Sequence, residues 1–296
     1  MSHSTNDYIR LHFIVILFGF TGILGKLISI PAVEMVFFRT LFAAAGMYVF
    51  LHLSKKSTRV SPADRITLLL TGLIVGIHWL TFFISGRIAN VSVSLVGFAT
   101  ASFWTAFLDP LINRRKINLI EVFLGLFVLA GLLIIFGSEF NYSLGLIVGI
   151  ASGLTCAIFA IINARLVARV DSYVITYYEM ISAALAIGLF LPLYSEYWAE
   201  GHALQLMPRG YDWLWILVLA WLCTVYAYSA AVELFKRISV FLFQLTLNLE
   251  PVYGILMALI VFGEAEKMQL NFYIGTFMIL CAVVAYPFIK RKLNPS

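Results

Sequence analysis

Charge is scarce in this sequence. Only 12% of its 296 residues are Asp, Glu, Lys or Arg, about half the roughly 25% usual in a soluble globular domain. Cysteine is nearly absent too. Cys156, Cys223 and Cys281 all fall inside apolar runs and share no metal-ligand spacing, which excludes a disulfide framework and leaves them as small packing residues. The five histidines (His3, His12, His52, His78 and His202) are scattered, so no H-E-x-x-H pair or similar metal set is spelled out. Gly25-Lys26 has the ending of a phosphate-binding loop, but Phe20 stands where the loop's first glycine belongs and Leu27 where Ser or Thr is required. No ATP site, metal or other cofactor is expected. The net charge of +5 does not imply a nucleic-acid partner, because the basic residues form short clusters between apolar runs rather than a groove with interleaved aromatics.

What the chain has in excess is apolar surface. Hydrophobic residues make up 62% of it, against roughly 45–50% in soluble proteins. One soluble core cannot hide that surplus, so the partner solvent is a lipid bilayer. A membrane-spanning helix needs about 20 mostly apolar residues. Ten such stretches are expected: Tyr8–Ile28, Glu34–Leu53, Ala63–Gly86, Val91–Ile112, Asn118–Phe136, Ser143–Asn163, Tyr173–Tyr194, Tyr211–Ala231, Ser239–Phe262 and Asn271–Ile289. The connections are short, the longest running from Ser195 towards Asp212, and leave no room for a soluble catalytic domain. No small-x-small cleavage site follows the first stretch, which reads as a retained helix rather than a signal peptide.

The basic residues orient these spans. Alternate connections carry Arg10, then Lys55, Lys56, Arg59 and Arg65, then Arg114, Arg115 and Lys116, then Arg165 and Arg169, then Lys236 and Arg237, then Lys290, Arg291 and Lys292. The other side has only Arg87, Arg209 and Lys267. The positive-inside rule then places both termini in the cytoplasm, and the expected location is a bacterial inner membrane. Trp198, Trp213 and Trp215, with Tyr194, Tyr197 and Tyr211, gather around the longest connection as an interfacial aromatic belt.

Ten spans divide into two fives, residues 8–136 and 143–289. An odd number per set inverts the second against the first, a construction common in transporters. A shift of 150 residues places Gly125 on Gly275, Phe127 on Phe277, Arg87 on Arg237 and Ile88 on Ile238.

Several motifs then carry a resemblance. Leu249-Glu250-Pro251-Val252-Tyr253-Gly254, followed by Val261-Phe262-Gly263-Glu264 and a last helix containing Gly275, is similar to the end of the second repeat in EamA-type drug/metabolite transporters. Phe38-Arg39 and the glycine-rich Phe18-Gly19-Phe20-Thr21-Gly22 resemble that family's first repeat. The resemblance covers the whole chain. It implies an all-α fold of two inverted five-helix repeats around a central cavity, and export or exchange of small metabolites such as amino acids. Thr100 and Ala101 stand where the 150-residue shift puts Glu250 and Pro251, so a strictly symmetric site is not expected.

Ionisable groups deep in a span cost about 2.5–3.5 kcal/mol on insertion scales and call for a role. Glu250 lies mid-span, and Pro251 after it removes a backbone donor and disfavours helical geometry at the residue before it. A helix broken at mid-membrane opens polar groups to a cavity, with Asn248 and Gln244 just upstream. Glu250 is therefore the first candidate for holding an ammonium group or a coupling proton, with a structural kink carboxylate as the alternative. His78 is a candidate relay or polar anchor, since imidazole titrates near pH 6.5. Its neighbour Trp79, and Trp104 in the next span, are candidates for an aromatic wall. Tyr226 and Tyr228 complete the candidate substrate site, Tyr228 being offset from His78 by 150 residues. Arg39 and Glu179 occupy corresponding places in the two halves with opposite sign. For Arg39 an interfacial pair with Glu34, reached by snorkelling, is expected before a substrate contact, so both are gating or coupling candidates. Proton coupling and uncoupled exchange both remain open. An intramembrane enzyme would need a nucleophile with its base or a metal set, and neither is present.

Overall fold

In the computed structural model, residues 4–89, 91–136, 143–262 and 270–293 are described. Gly263, Glu264 and Lys267 lie outside them. Every regular element among the described residues is helical: α1 (Thr5–Leu27), α2 (Ala32–Leu53), α3 (Pro62–Ile88), α4 (Val91–Ile112), α5 (Leu119–Phe136), α6 (Ser143–Leu166), α7 (Ser172–Tyr197), α8 (Asp212–Ala220), α9 (Ala227–Leu234), α10 (Val240–Leu247), α11 (Glu250–Phe262) and α12 (Leu270–Leu293), with one 3₁₀ turn at Glu200–His202. A π-helical turn, Trp221–Tyr226, joins α8 to α9. Eight of the described spans are long and apolar enough to cross a membrane, Asp212–Leu234 counting as one, and Leu119–Ile135 is a shorter apolar helix.

The expected span Ser239–Phe262 is broken, as Pro251 implies, into two helices, α10 and α11. Pro251 has no N–H to offer the carbonyl of Leu247, one turn back. Asn248 N instead donates to Leu245 O at 3.3 Å and Leu249 N to Thr246 O at 2.9 Å, a tightened turn between α10 and α11. Asn248 also covers the loosened carbonyls with its side chain. Its Nδ2 donates to Gln244 O at 3.1 Å and Leu245 O at 3.2 Å, and reaches Ser102 Oγ on α4 at 3.2 Å.

Side chains such as Leu53, Leu119 and Leu189 stand more than 70% exposed on the outside, a belt of apolar surface that suits lipid. This is a multi-pass membrane protein. Between helices in lipid, association rests on close packing rather than on burial of apolar surface, and small residues serve it. Gly97 packs on Gly149, where a Cβ would meet the Gly149 backbone at 2.6 Å, and Gly275 faces the Gly131 carbonyl at the α5–α12 crossing. Gly72 lies on the backbone of Glu179, which holds α3 to α7 at 2.6 Å from a Cβ. Gly19 of α1 packs on the Glu250 carbonyl and the Gly254 nitrogen of α11.

The two ends of the bundle differ in charge. At one end, Lys56 pairs with Asp171 at 2.6 Å, Arg169 with Asp64 at 2.7 Å and Arg237 with Asp7 at 3.0 Å, which ties together loops from both halves of the chain. Each pair keeps one partner open to solvent, and surface pairs contribute about 0–1 kcal/mol each, so their value is in register rather than stability. At the other end, Asp212 accepts from Ser29 N at 3.1 Å and Ser29 Oγ at 2.5 Å, and Arg87 donates to the carbonyls of Ile28 and Ile30 at the end of α1.

Candidate functional site

A cavity of about 70 Å³ lies between the two halves. Its walls are mostly aromatic: Phe18 from α1, Trp79, Phe82 and Phe83 from α3, Phe98 from α4, Phe159 from α6, Tyr228 and Phe235 from the α9 region, and Phe243 from α10. Arg39 from α2, His78 from α3 and Glu250 from α11 reach it from separate helices. Thr21, Cys156 and Gln244 add short polar edges.

Arg39 is 3% exposed and turned into the bundle, not out to the interface. Two contacts hold it. Its guanidinium carbon lies 3.9 Å from the centre of the Trp79 ring, and its Nε donates to Thr224 Oγ1 at 2.9 Å. The expected pairing with Glu34 does not form. Glu34 accepts instead from Gln205 N at 3.2 Å. The Thr224 hydroxyl donates in turn to Leu219 O, five residues back, at 3.0 Å. The π turn thus aims Thr224 at Arg39, a use often found for such turns.

Glu250 is the acid of the cavity. Its carboxylate forms no hydrogen bond and no ion pair among the described side chains, while Arg39 acts on it across the space between them. The cavity therefore presents a guanidinium and a carboxyl group, not in direct contact, on aromatic walls. His78 is anchored rather than loose. Its Nδ1 lies 3.0 Å from Ser152 O and 2.9 Å from Ser152 Oγ, and Phe98 and Phe159 flank its ring at 5.5 and 5.3 Å.

The sequence candidates divide in two. Arg39, His78, Trp79, Tyr228 and Glu250 line one space. Trp104, Tyr226, Asn248 and Glu179 do not line it. Trp104 packs edge-on against Phe103. Tyr226 is 42% exposed beside Phe13, because the π turn carries it outward. Asn248 is occupied at the helix break described above, and Glu179 sits behind Tyr228, whose hydroxyl donates to Glu179 Oε2 at 2.9 Å. Cys156 was expected only as packing, yet it borders the cavity with its Sγ 3.4 Å from Gln244 Nε2. Phe18 and Thr21 belong to the glycine-rich stretch of the first helix, but Thr224 and the other phenylalanines carry no sequence signal that sets them apart from 25 phenylalanines and many small polar residues.

A model of the EamA-like transporter family matches residues 9–137 and, a second time, residues 143–286. No curated protein matches the chain in sequence. One solved structure, described only as the crystal structure of a protein, superposes with a TM-score of 0.80 at 14% sequence identity, covering 98% of this chain and 100% of its own. At that identity the likeness concerns the fold alone.

Proposed function

Since the chain belongs to the EamA-like transporter family, a family of membrane transporters built from two repeats, we propose that it is a secondary transporter that exports or exchanges small metabolites such as amino acids by alternating access. The observation that carries this reading is the cavity: Arg39 and Glu250 face one aromatic-walled space from opposite halves of the chain without pairing directly. A zwitterion satisfies both charges at once, its carboxylate on Arg39 and its ammonium on Glu250. An apolar or aromatic side chain then lies against Trp79 and the phenylalanines, where cation–π and ring contacts contribute about 0.5–2 kcal/mol.

The proposed movement is a rocking of two inverted five-helix repeats, residues 8–136 and 143–289, around this site. The helix pairing supports that symmetry. The contacts of α6 with α4 and α3 have counterparts in those of α1 with α10–α11 and α8–α9, while α2–α7 and α5–α12 each pair one helix with its equivalent. On this reading α10 and α11 are the two pieces of one span, which brings the number of spans to ten. The clustering of basic loops at one end supports a cytoplasmic placement for that end and both termini, in a bacterial inner membrane.

Counterflow tests the reading. Purified protein in liposomes preloaded with an unlabelled amino acid should accumulate the same labelled amino acid transiently and saturably. A panel of amino acids, nucleosides and organic cations that gives no saturable exchange, only leak, would overturn it.

A further inference from the structure

Behind the cavity wall lies a second polar group that the transport site does not use. Glu179 on α7 and Asn163 on α6 are both fully buried, and they meet at the hydroxyl of Tyr228. Tyr228 donates to Glu179 Oε2 at 2.9 Å and accepts from Asn163 Nδ2 at 3.0 Å. The Asn163 amide also lies beside the carboxylate. Two atoms are left over, Glu179 Oε1 and Asn163 Oδ1, each buried without a hydrogen-bond partner among the described residues. Both are acceptors when the carboxylate is charged. An acceptor stranded in a dry interior is costly, most of all on a charged group, so two of them on residues that share one hydroxyl are a conspicuous deficit of donors.

A proton on Oε1 eases that deficit, because it turns an acceptor lacking a donor into a donor. No charged neighbour does the same work. From α2, Arg39 is turned to Thr224 and Trp79, and Glu34 to Gln205. From α3, Asp64 pairs with Arg169, His78 is held by Ser152 and Arg87 by the end of α1; Gly72 packs on the Glu179 backbone. From α9, Glu233 pairs with Lys236, and Tyr228 is the titratable group in contact. Thr176, one turn before Glu179, is occupied with Ser229 at 2.8 Å. Among the described residues no cation reaches Glu179.

We propose that Glu179, with Tyr228 and Asn163, is a proton-binding site placed one side chain behind the substrate cavity, and that Tyr228 links its protonation to what the cavity holds. Tyr228 is the shared wall: it lines the cavity, its ring lies 6.0 Å from that of Trp79, and its hydroxyl is the donor to Glu179. A solute that shifts the Tyr228 ring also takes away or restores the hydrogen bond that favours the charged carboxylate. The linking role rests on the transport reading; the proton site itself does not.

Infrared titration of the full chain in lipid nanodiscs, in sodium-free buffer, tests it with the proton as the probe. The wild type should show a protonated-carboxyl stretch that is lost as pH rises. Part of that signal should be missing in Glu179→Gln and present in Glu250→Gln. Tyr228→Phe keeps the carboxyl group and removes its donor, so it should move the pH at which that component is lost by about one unit or more. The site is overturned if Glu179→Gln leaves the signal unchanged, if the Glu179 component is indifferent to pH, or if Tyr228→Phe does not move it. Its loss on adding Na⁺ at constant pH overturns it too, in favour of a metal-ion site. Counterflow is the separate readout. Exchange without a titrating Glu179 component overturns the proton site and leaves the transport reading; a titrating component without exchange overturns the linking role along with that reading.

Discussion

The guanidinium of Arg39 stacks over the Trp79 ring at 3.9 Å while its Nε donates to Thr224 at 2.9 Å. A planar, forked cation can do both at once, and a lysine ammonium cannot. Arg39→Lys should keep the positive charge and lose the geometry. Losing one hydrogen bond to a charged group in a dry site costs about 1.5–3 kcal/mol, so affinity for an anionic or zwitterionic solute should fall roughly 10- to 150-fold. Ligand-induced thermal stabilisation of the purified variant measures this directly.

Thr224 should behave as the support for Arg39. Thr224→Val keeps the shape and removes the hydroxyl, which frees both Arg39 Nε and the Leu219 carbonyl. Binding should weaken in the same direction as in Arg39→Lys, and the double variant should cost less than the sum of the two, because both break one contact. Additive losses would show that Thr224 acts elsewhere.

Gly19 and Gly22 make a paired test of the α1–α11 crossing. A Cβ on Gly19 would lie 2.8 Å from the Glu250 carbonyl and 3.1 Å from the Gly254 nitrogen, whereas one on Gly22 meets nothing within 4 Å. Gly19→Ala should push α11 away from α1, with a cost of about 1–3 kcal/mol for overpacking. It should also displace Glu250, which starts that helix. Gly22→Ala should be neutral or slightly stabilising, since alanine favours helix more than glycine does. Thermal unfolding in one detergent, with the two variants side by side, distinguishes them.

The sequence made some of this legible and hid the rest for identifiable reasons. Pro251 announced the break between α10 and α11 because a missing N–H is a local fact. Glu250 stood out because a charge in an apolar run is rare. The π turn at Trp221–Tyr226 contains neither proline nor glycine, so nothing local marked it. With it went Thr224's role and the outward turn of Tyr226. Arg39 lies near a span end, where the length of its side chain permits either direction, and only the packing of α2 against α8 and the π turn decides that it points inward. The phenylalanine walls were unreadable because a helix facing lipid on one side and an aromatic cavity on the other is apolar all round.

Trp104 separates sequence expectation from structure. A candidate for the substrate wall on sequence grounds, it lies outside the cavity with its Nε1 buried and without a hydrogen-bond partner among the described residues. Trp104→Phe removes that stranded donor and keeps an aromatic ring beside Phe103. Ligand affinity and selectivity should be unchanged, and stability should stay level or rise slightly, because a buried donor without a partner is a standing cost. Weakened binding of bulky solutes by this variant, measured by the same thermal-shift panel, would return Trp104 to the site.

Glu250→Gln is the most direct test of the cavity's charge logic. The substitution preserves shape and leaves Pro251, and hence the helix break, intact. It removes the anion that faces Arg39, so the cavity becomes net positive. Cationic and zwitterionic solutes lose their partner for an ammonium group and should bind at least about tenfold more weakly, on the order of 1.5 kcal/mol or more. Anionic solutes should bind as well as before or better, since the repelling carboxylate is gone. Insertion and folding should persist, because no hydrogen bond among the described side chains depends on that carboxylate. A uniform loss across all solute charges would mean that Glu250 holds α11 in place rather than reading charge, and would move the search for the ammonium partner elsewhere in the cavity.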